Sequence, residues 1–186
     1  MYQTILQKIN AVSDANTPLL IAIDGRCASG KTTLSSYLQK ELNCNVIHMD
    51  YFFLCPEQIT EQRLLQPGGN VDYERFYKEV LTPLKNGKEF YYHRYDCHKE
   101  VMSETIFVPL CPITVIEGCY SCHPTLQKQY DIKIFLSVEP KEQINRIKKR
   151  NGEIAVNTFR QKWIPLEEYY FSTYNVKENC DLYFQT

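Results

Sequence analysis

Nowhere in these 186 residues does an apolar run reach the length needed to cross a bilayer, which excludes a helical membrane span from the expected structure. Excess charge of one sign is also lacking. Lys and Arg number 21 against 22 Asp and Glu, a net −1 with histidine neutral. That balance argues against a broad nucleic-acid or anionic-lipid surface, while leaving room for a local basic groove. Internal repeats, low-complexity tracts and Gly/Ser linkers are absent, so one domain over residues 1–186 is expected, long enough to bury a core. The opening MYQTILQKINAVSDANTPLL has polar and acidic residues where a secretory leader would be apolar, which predicts a cytoplasmic protein. In that reducing setting disulfides are not expected. The eight cysteines (Cys27, Cys44, Cys55, Cys97, Cys111, Cys119, Cys122, Cys180) also lack the paired spacing of a zinc site and read as small buried hydrophobes.

What is present is an alternation. Apolar residues at helical spacing over Thr4 to Val12 predict a lead-in helix, and LLIAID then reads as a strand buried on both faces. Thr32 to Leu42 predicts a helix, NVIHMD a second buried strand ending in an acid, and VDYERFYKEVLTPL a helix with Pro83 near its end. KEFYYHRYD and ETIFVPL alternate as the arms of an antiparallel hairpin, about 88–110. PITVIEG and DIKIFLSV are further buried strands, and EPKEQINRIKKRNG is a basic helix. A helix over Asn157 to Tyr174 and an edge strand in DLYFQ complete the chain. Strands alternating with helices predict an α/β fold, a parallel central sheet with helices on both faces.

Between the first strand and its helix lies GRCASGKT, which fits G-x-x-x-x-G-K-[ST] in the strand–loop–helix setting this phosphate loop requires. Gly25 and Gly30 let backbone N–H groups turn inward, and the helix N-terminus adds partial positive charge. Lys31 supplies a mobile charge for the β- and γ-phosphates, and Thr32 a hydroxyl for Mg²⁺. Nucleotide contact is assigned to Gly25, Ala28, Ser29, Gly30, Lys31, Thr32 and Thr33. An ordinary βα turn with incidental glycines would leave the Lys-Thr pair unexplained. No Asn/Thr-Lys-x-Asp guanine-reading motif follows, and the chain is short for a motor or transporter ATPase, so a small kinase is left.

The series DGRCASGKTT, HMDYFF, PGGNVDYERF, YHRYDC and VIEGCY, in that order from roughly Leu19 to Tyr174, resembles the uridine kinase-like, phosphoribulokinase-type family of small-molecule kinases. The resemblance implies a three-layer P-loop NTPase fold with the β-hairpin inserted over the acceptor site and a lid over about 141–160. ATP is the implied donor, with GTP left open, alongside Mg²⁺ and a small nucleoside-like acceptor. Neither nucleic acid nor membrane is implied as a partner, and a homo-oligomer is left open. It casts Lys31 as catalytic and Asp50 as the carboxylate facing the acceptor hydroxyl. Asp72, Tyr95, Asp96 and His98 become acceptor contacts. Asp72 also stands where a helix N-cap would, and His98 follows the Tyr-Asp pair more closely than in the uridine kinases. Arg146 and Arg150, four apart on one helix face, become the lid arginines, with Asn151 where the family commonly has Asp.

The segment EGCYSCH contains C-x-x-C-H, the spacing of c-type haem attachment. Haem attachment would need export and a second axial ligand, which nothing in the sequence supports. At the C-terminal end of a parallel strand the segment instead brings Glu117 toward the nucleotide, so Thr32 and Glu117 are the expected metal-side pair. Cys119, Cys122 and His123 are then loop packing. A rival class, a regulatory module that binds nucleotide without transferring phosphate, would fit a cleft blocked by aromatic side chains.

Overall fold

The computed structural model describes residues 1–14, 17–97 and 99–186. Helix α1 (Tyr2–Val12) leads into β1 (Leu19–Gly25), every residue of which is buried, as an uninterrupted apolar run at the centre of a sheet should be. Helix α2 (Lys31–Leu42) and β2 (Asn45–His48) follow, and then a 3₁₀ turn, Met49–Phe52. The expected strand through Asp50 is therefore shorter, and the acid sits on the turn beyond it. Only Ile47 of β2 is fully buried, because β2 is an edge strand and not an interior one.

A short α3 (Glu61–Leu64) precedes α4 (Tyr73–Phe76), a π turn (Tyr77–Leu81) and α5 (Thr82–Lys85), which run on as one helical stretch. The antiparallel pair β3 (Phe90–Asp96) and β4 (Val101–Val108) is followed by β5 (Ile113–Glu117) and β6 (Ile132–Ser137). Helix α6 (Pro140–Asn151) turns at Gly152 into α7 (Glu153–Thr158), which continues through a second π turn (Phe159–Trp163) into α8 (Ile164–Tyr174) and ends at β7 (Leu182–Gln185). The last long helix thus starts earlier than Asn157. Both π turns sit just before an internal proline: Thr82 N–H bonds Tyr77 C=O ahead of Pro83, and Ile164 N–H bonds Phe159 C=O ahead of Pro165. Proline removes a donor and crowds the preceding turn, and a widened turn absorbs both without breaking the helix.

The five-stranded sheet runs β2-β5-β1-β6-β7, with every neighbouring pair parallel. Period-two alternation along β1 splits the core. Leu19, Ile21 and Ile23 pack with α1 and α2 through Ile5, Ile9, Leu34 and Leu38. Leu20 and Ala22 face Phe76, Val80, Leu81, Tyr170 and Phe171 of the other layer. The C-terminal ends of β1, β2, β5 and β6 therefore meet along one rim, where an open parallel sheet builds its sites. The hairpin packs on the same side as the Met49–Phe52 turn, with the Tyr92 and Phe52 rings 5.4 Å apart. No described helix is long and apolar enough to cross a membrane, and all eight cysteines are free thiols.

Candidate active site

The phosphate loop leaves β1 at Gly25, whose φ is 128° and where a Cβ would lie 2.0 Å from the Leu136 carbonyl oxygen. Only glycine fits so close to β6. Ala28 takes a left-handed φ of 59°, and Gly30 (φ 90°) caps α2 so that the helix N-terminus points into the loop. Lys31 is buried and folds back, donating to Gly25 C=O at 2.6 Å and Arg26 C=O at 2.9 Å. Burial depresses its pKa, but Cys119, Glu167, Asp24 and Asp50 around it raise it by more. The ammonium stays charged. Ser29 is fully buried with its hydroxyl unpartnered, while Thr33 is exposed on α2.

The loop is gripped by α6 and α8 at its second and third positions. Glu167 of α8, buried, accepts Cys27 N–H at 2.9 Å, and the buried Gln143 of α6 donates to Cys27 C=O at 3.1 Å. The next acid, Glu168, takes Arg26 in a two-point pair at 2.7 and 3.1 Å. Cys27 and Ala28 also pack with Ile147, Val156 and Phe159 in a small core shared with α6, α7 and the second π turn. Desolvation pushes the Cys27 thiol up to about 12, so it is an inert packing group. The two arginines of α6 part company: Arg146 reaches Ala28 C=O at 3.3 Å, whereas Arg150 lies in the field of Asp50 and bonds Asn151 Oδ1 at 2.7 Å.

Across the rim, Glu117 ends β5, buried, with Thr32 Oγ1 donating to its Oε1 at 3.2 Å. His48 Nδ1 stands 2.6 Å from the same oxygen. Asp50 is exposed as a residue, but the protein packed around its carboxyl desolvates it, and that desolvation raises its pKa. Lys31 opposes that shift, Glu117 adds to it, and His48 and Arg150 oppose it. Thr32, Glu117, His48, Asp50 and Lys31 thus form one cluster of hard oxygen donors with an imidazole and an ammonium. Among the described residues no three His, Cys, Asp or Glu side chains enclose a metal by themselves.

CYSCH forms the buried loop after β5. Asp24, fully buried at the end of β1, holds it: Oδ1 accepts Gly25 N–H at 2.6 Å and Tyr120 N–H at 3.1 Å, and Oδ2 accepts Cys122 N–H at 2.8 Å and the Tyr170 hydroxyl at 2.9 Å. His123 stacks on Tyr73 with ring centroids 4.2 Å apart and accepts Thr125 N–H on Nδ1. Burial, with Arg63 nearby, pushes its pKa down from 6.5 to about 4. The unfolded chain therefore takes up this proton first as pH falls. The stability contributed by neutral His123 is intact above pH 6.5 and fades toward pH 4, by on the order of 3 kcal/mol at most. Urea unfolding of wild type and His123→Phe at pH 7.5 and at pH 5 should show the smaller loss in the variant. Equal losses would refute this account.

Among the residues expected to meet the acceptor, Asp72 is buried and caps α4 through Arg75 N–H at 2.9 Å, while its other oxygen accepts from Gln58 Nε2 at 2.7 Å. It lines a polar cavity of about 490 Å³ with Leu54, Gln58, Arg63, Gln66 and Glu74. Tyr95 is buried at the end of the hairpin near Cys55 and Cys97, and Cys97 in turn feels Asp50. Asp96 receives Lys99 N–H in the hairpin turn at 3.2 Å. His98 lies outside the described residues. The fold thus brings Lys31, Thr32, Glu117 and Asp50 together, while Asp72 lines its own cavity, Tyr95 is buried at the hairpin end and Arg150 is exposed on α6. Sequence reading missed Asp24, His48, Gln143 and Glu167. A lone acid inside the apolar run LLIAID was a signal for Asp24; the other three had none, because their partners are 69, 116 and 140 residues away.

Residues 21–161 match the model of a family described as an AAA domain. The chain is 27% identical over 170 residues to the uridine kinase of Ureaplasma parvum serovar 3, which covers 82% of each chain. It is 28% identical over 148 residues to uridine-cytidine kinase B of Dictyostelium discoideum, covering 74% of this chain and 60% of the other. A Bacillus stearothermophilus structure described as a possible uridine kinase superposes with a TM-score of 0.70 at 20% identity, covering 98% of this chain and 97% of that one. The nucleotide-binding loop, the parallel sheet and the matched span agree: the chain belongs to the AAA-domain family, among its uridine kinase-like P-loop kinases.

Proposed function

We propose that this protein transfers the γ-phosphate of ATP, with Mg²⁺, to a hydroxyl of a small nucleoside-like metabolite in the cytoplasm. The observation that carries the reading is Asp50, beside Gly118 at the end of β5 and in the electrostatic field of Lys31 and Glu117. Lys31 leaves the loop carbonyls for the β- and γ-phosphates, and the inward N–H groups of residues 28–33 hold the rest of the polyphosphate. The acceptor oxygen attacks the γ-phosphorus as the bond to the β-phosphate oxygen breaks, and Asp50 takes the hydroxyl proton. Arg146 and Arg150 bring guanidinium charge to the transferring group from the lid, about 141–160. Thr32 and Glu117, both hard oxygen donors, would hold a magnesium ion, which would neutralise charge on the phosphates. Asp72, Tyr95, Asp96 and His98 are the residues assigned to contact the acceptor. Eight free thiols suit a reducing compartment.

The test is ADP release against a panel of nucleosides, ribosides and pantothenate. Acceptor-dependent turnover should appear with at least one compound and vanish in Lys31→Ala. Nucleotide binding without turnover across the whole panel would instead favour the regulatory module.

A further inference from the structure

We propose that His48 is a positioning residue that locks Glu117 in the rotamer that meets the metal, and so sets the divalent-cation affinity of the site. The inference rests on reading Glu117 as the metal-side carboxylate. His48 and Glu117 are register partners on the adjacent parallel strands β2 and β5, so both side chains leave the same end of the sheet side by side. Nδ1 of His48 lies 2.6 Å from Glu117 Oε1, and Thr32 Oγ1 reaches that same oxygen at 3.2 Å. A carboxylate only accepts, so Nδ1 carries the ring proton and Oε1 is held by two donors. Oε2 is then the oxygen turned to a ligand.

The holder is itself held. The His48 ring packs edge-on against Tyr51 at 5.2 Å. Its neighbours press on the same spot: a Cβ at Gly118, the residue after Glu117, would meet Met49 Cβ at 2.8 Å and Asp50 Oδ1 at 3.4 Å. His48, Met49 and Asp50 thus form a short strap across the end of β5. A glutamate released from such a partner samples several rotamers, and losing a hydrogen bond that orients a ligand typically weakens metal binding about 10–100-fold.

The test is Mn²⁺ binding in the presence of ADP, followed by electron paramagnetic resonance, so that no turnover is needed. Asparagine can place an amide N–H near the Nδ1 position; glutamine reaches the Nε2 position and alanine neither. His48→Ala and His48→Gln should weaken Mn²⁺ about tenfold or more, His48→Asn by no more than about threefold, with metal-free ADP affinity unchanged in all. A merely structural role would instead lower all three alike together with the melting temperature, and that result overturns the proposal. So does wild-type Mn²⁺ affinity in His48→Ala and His48→Gln when Glu117→Gln is weakened. Wild-type affinity in Glu117→Gln overturns the metal reading of that residue and the role of His48 with it. If the alanine variant fails to fold, the Asn and Gln pair decides alone.

Discussion

Asp50→Asn will lower kcat by about 10³-fold while leaving ADP affinity within a few-fold of wild type. The amide matches the carboxylate in shape but cannot accept the acceptor's proton, so only the transfer step should suffer. Asp50 itself is exposed, on a 3₁₀ turn anchored by the buried Met49 and Phe52, so an amide of the same shape should leave the fold intact. Its raised pKa adds a second signature. A base must be ionised to act, so the rate should decline as pH drops through that raised value, and this acid limb should be missing from the residual activity of the variant. Steady-state kinetics across pH, with ADP binding by calorimetry, measures both. A kcat within tenfold of wild type would remove Asp50 from the chemistry.

The largest effect on stability is expected at Asp24. Its two oxygens receive four donors, three of them backbone N–H groups, in a fully buried site. Burial raises the pKa of this carboxyl, and the Cys122 and Gly25 N–H groups, Lys31 and the Tyr170 hydroxyl pull it back. Asp24→Ala strands those donors where water cannot replace the lost partner. A buried unsatisfied group costs about 1–3 kcal/mol, so a total of about 4 kcal/mol or more is expected. Against a usual stability of about 5–15 kcal/mol, this leaves a marginal protein. Asp24→Asn keeps one acceptor oxygen but turns an NH₂ toward the remaining donors, and should fall between. Urea denaturation of the three proteins checks the order; an alanine variant as stable as wild type would mean the loop after β5 is held by something else. Because that loop follows directly on Glu117, nucleotide affinity should fall along with stability.

These two acids mark different limits of sequence reading. Asp50 was legible because it ends an apolar run in a recognisable series of segments, even though the strand stops two residues earlier. Asp24 was visible only as an oddity, one acid in a strand buried on both faces. Glu167 and Gln143 gave no sign, since both are ordinary polar residues at helical positions until α8 and α6 fold over the phosphate loop and bury them against Cys27. Asp72 shows a further limit. Its position offered a helix cap and an acceptor contact; the fold shows the cap on α4 and a cavity beside it, and the contact stays a proposal.

By itself, then, the sequence determined the periodicities, the phosphate loop with its glycines and Lys31, the acids Asp50 and Glu117 at or just past strand ends, and hence the parallel α/β class. These are local consequences of residue type and spacing. The order β2-β5-β1-β6-β7 was decided only by the tertiary structure. That order sets His48 beside Glu117, and the packing built on it turns Arg146 to the loop and buries CYSCH around Asp24. The physical reason is that hydrogen-bond satisfaction and charge pairing in a buried site depend on groups dozens of residues apart, brought within 3 Å by packing that no local pattern encodes.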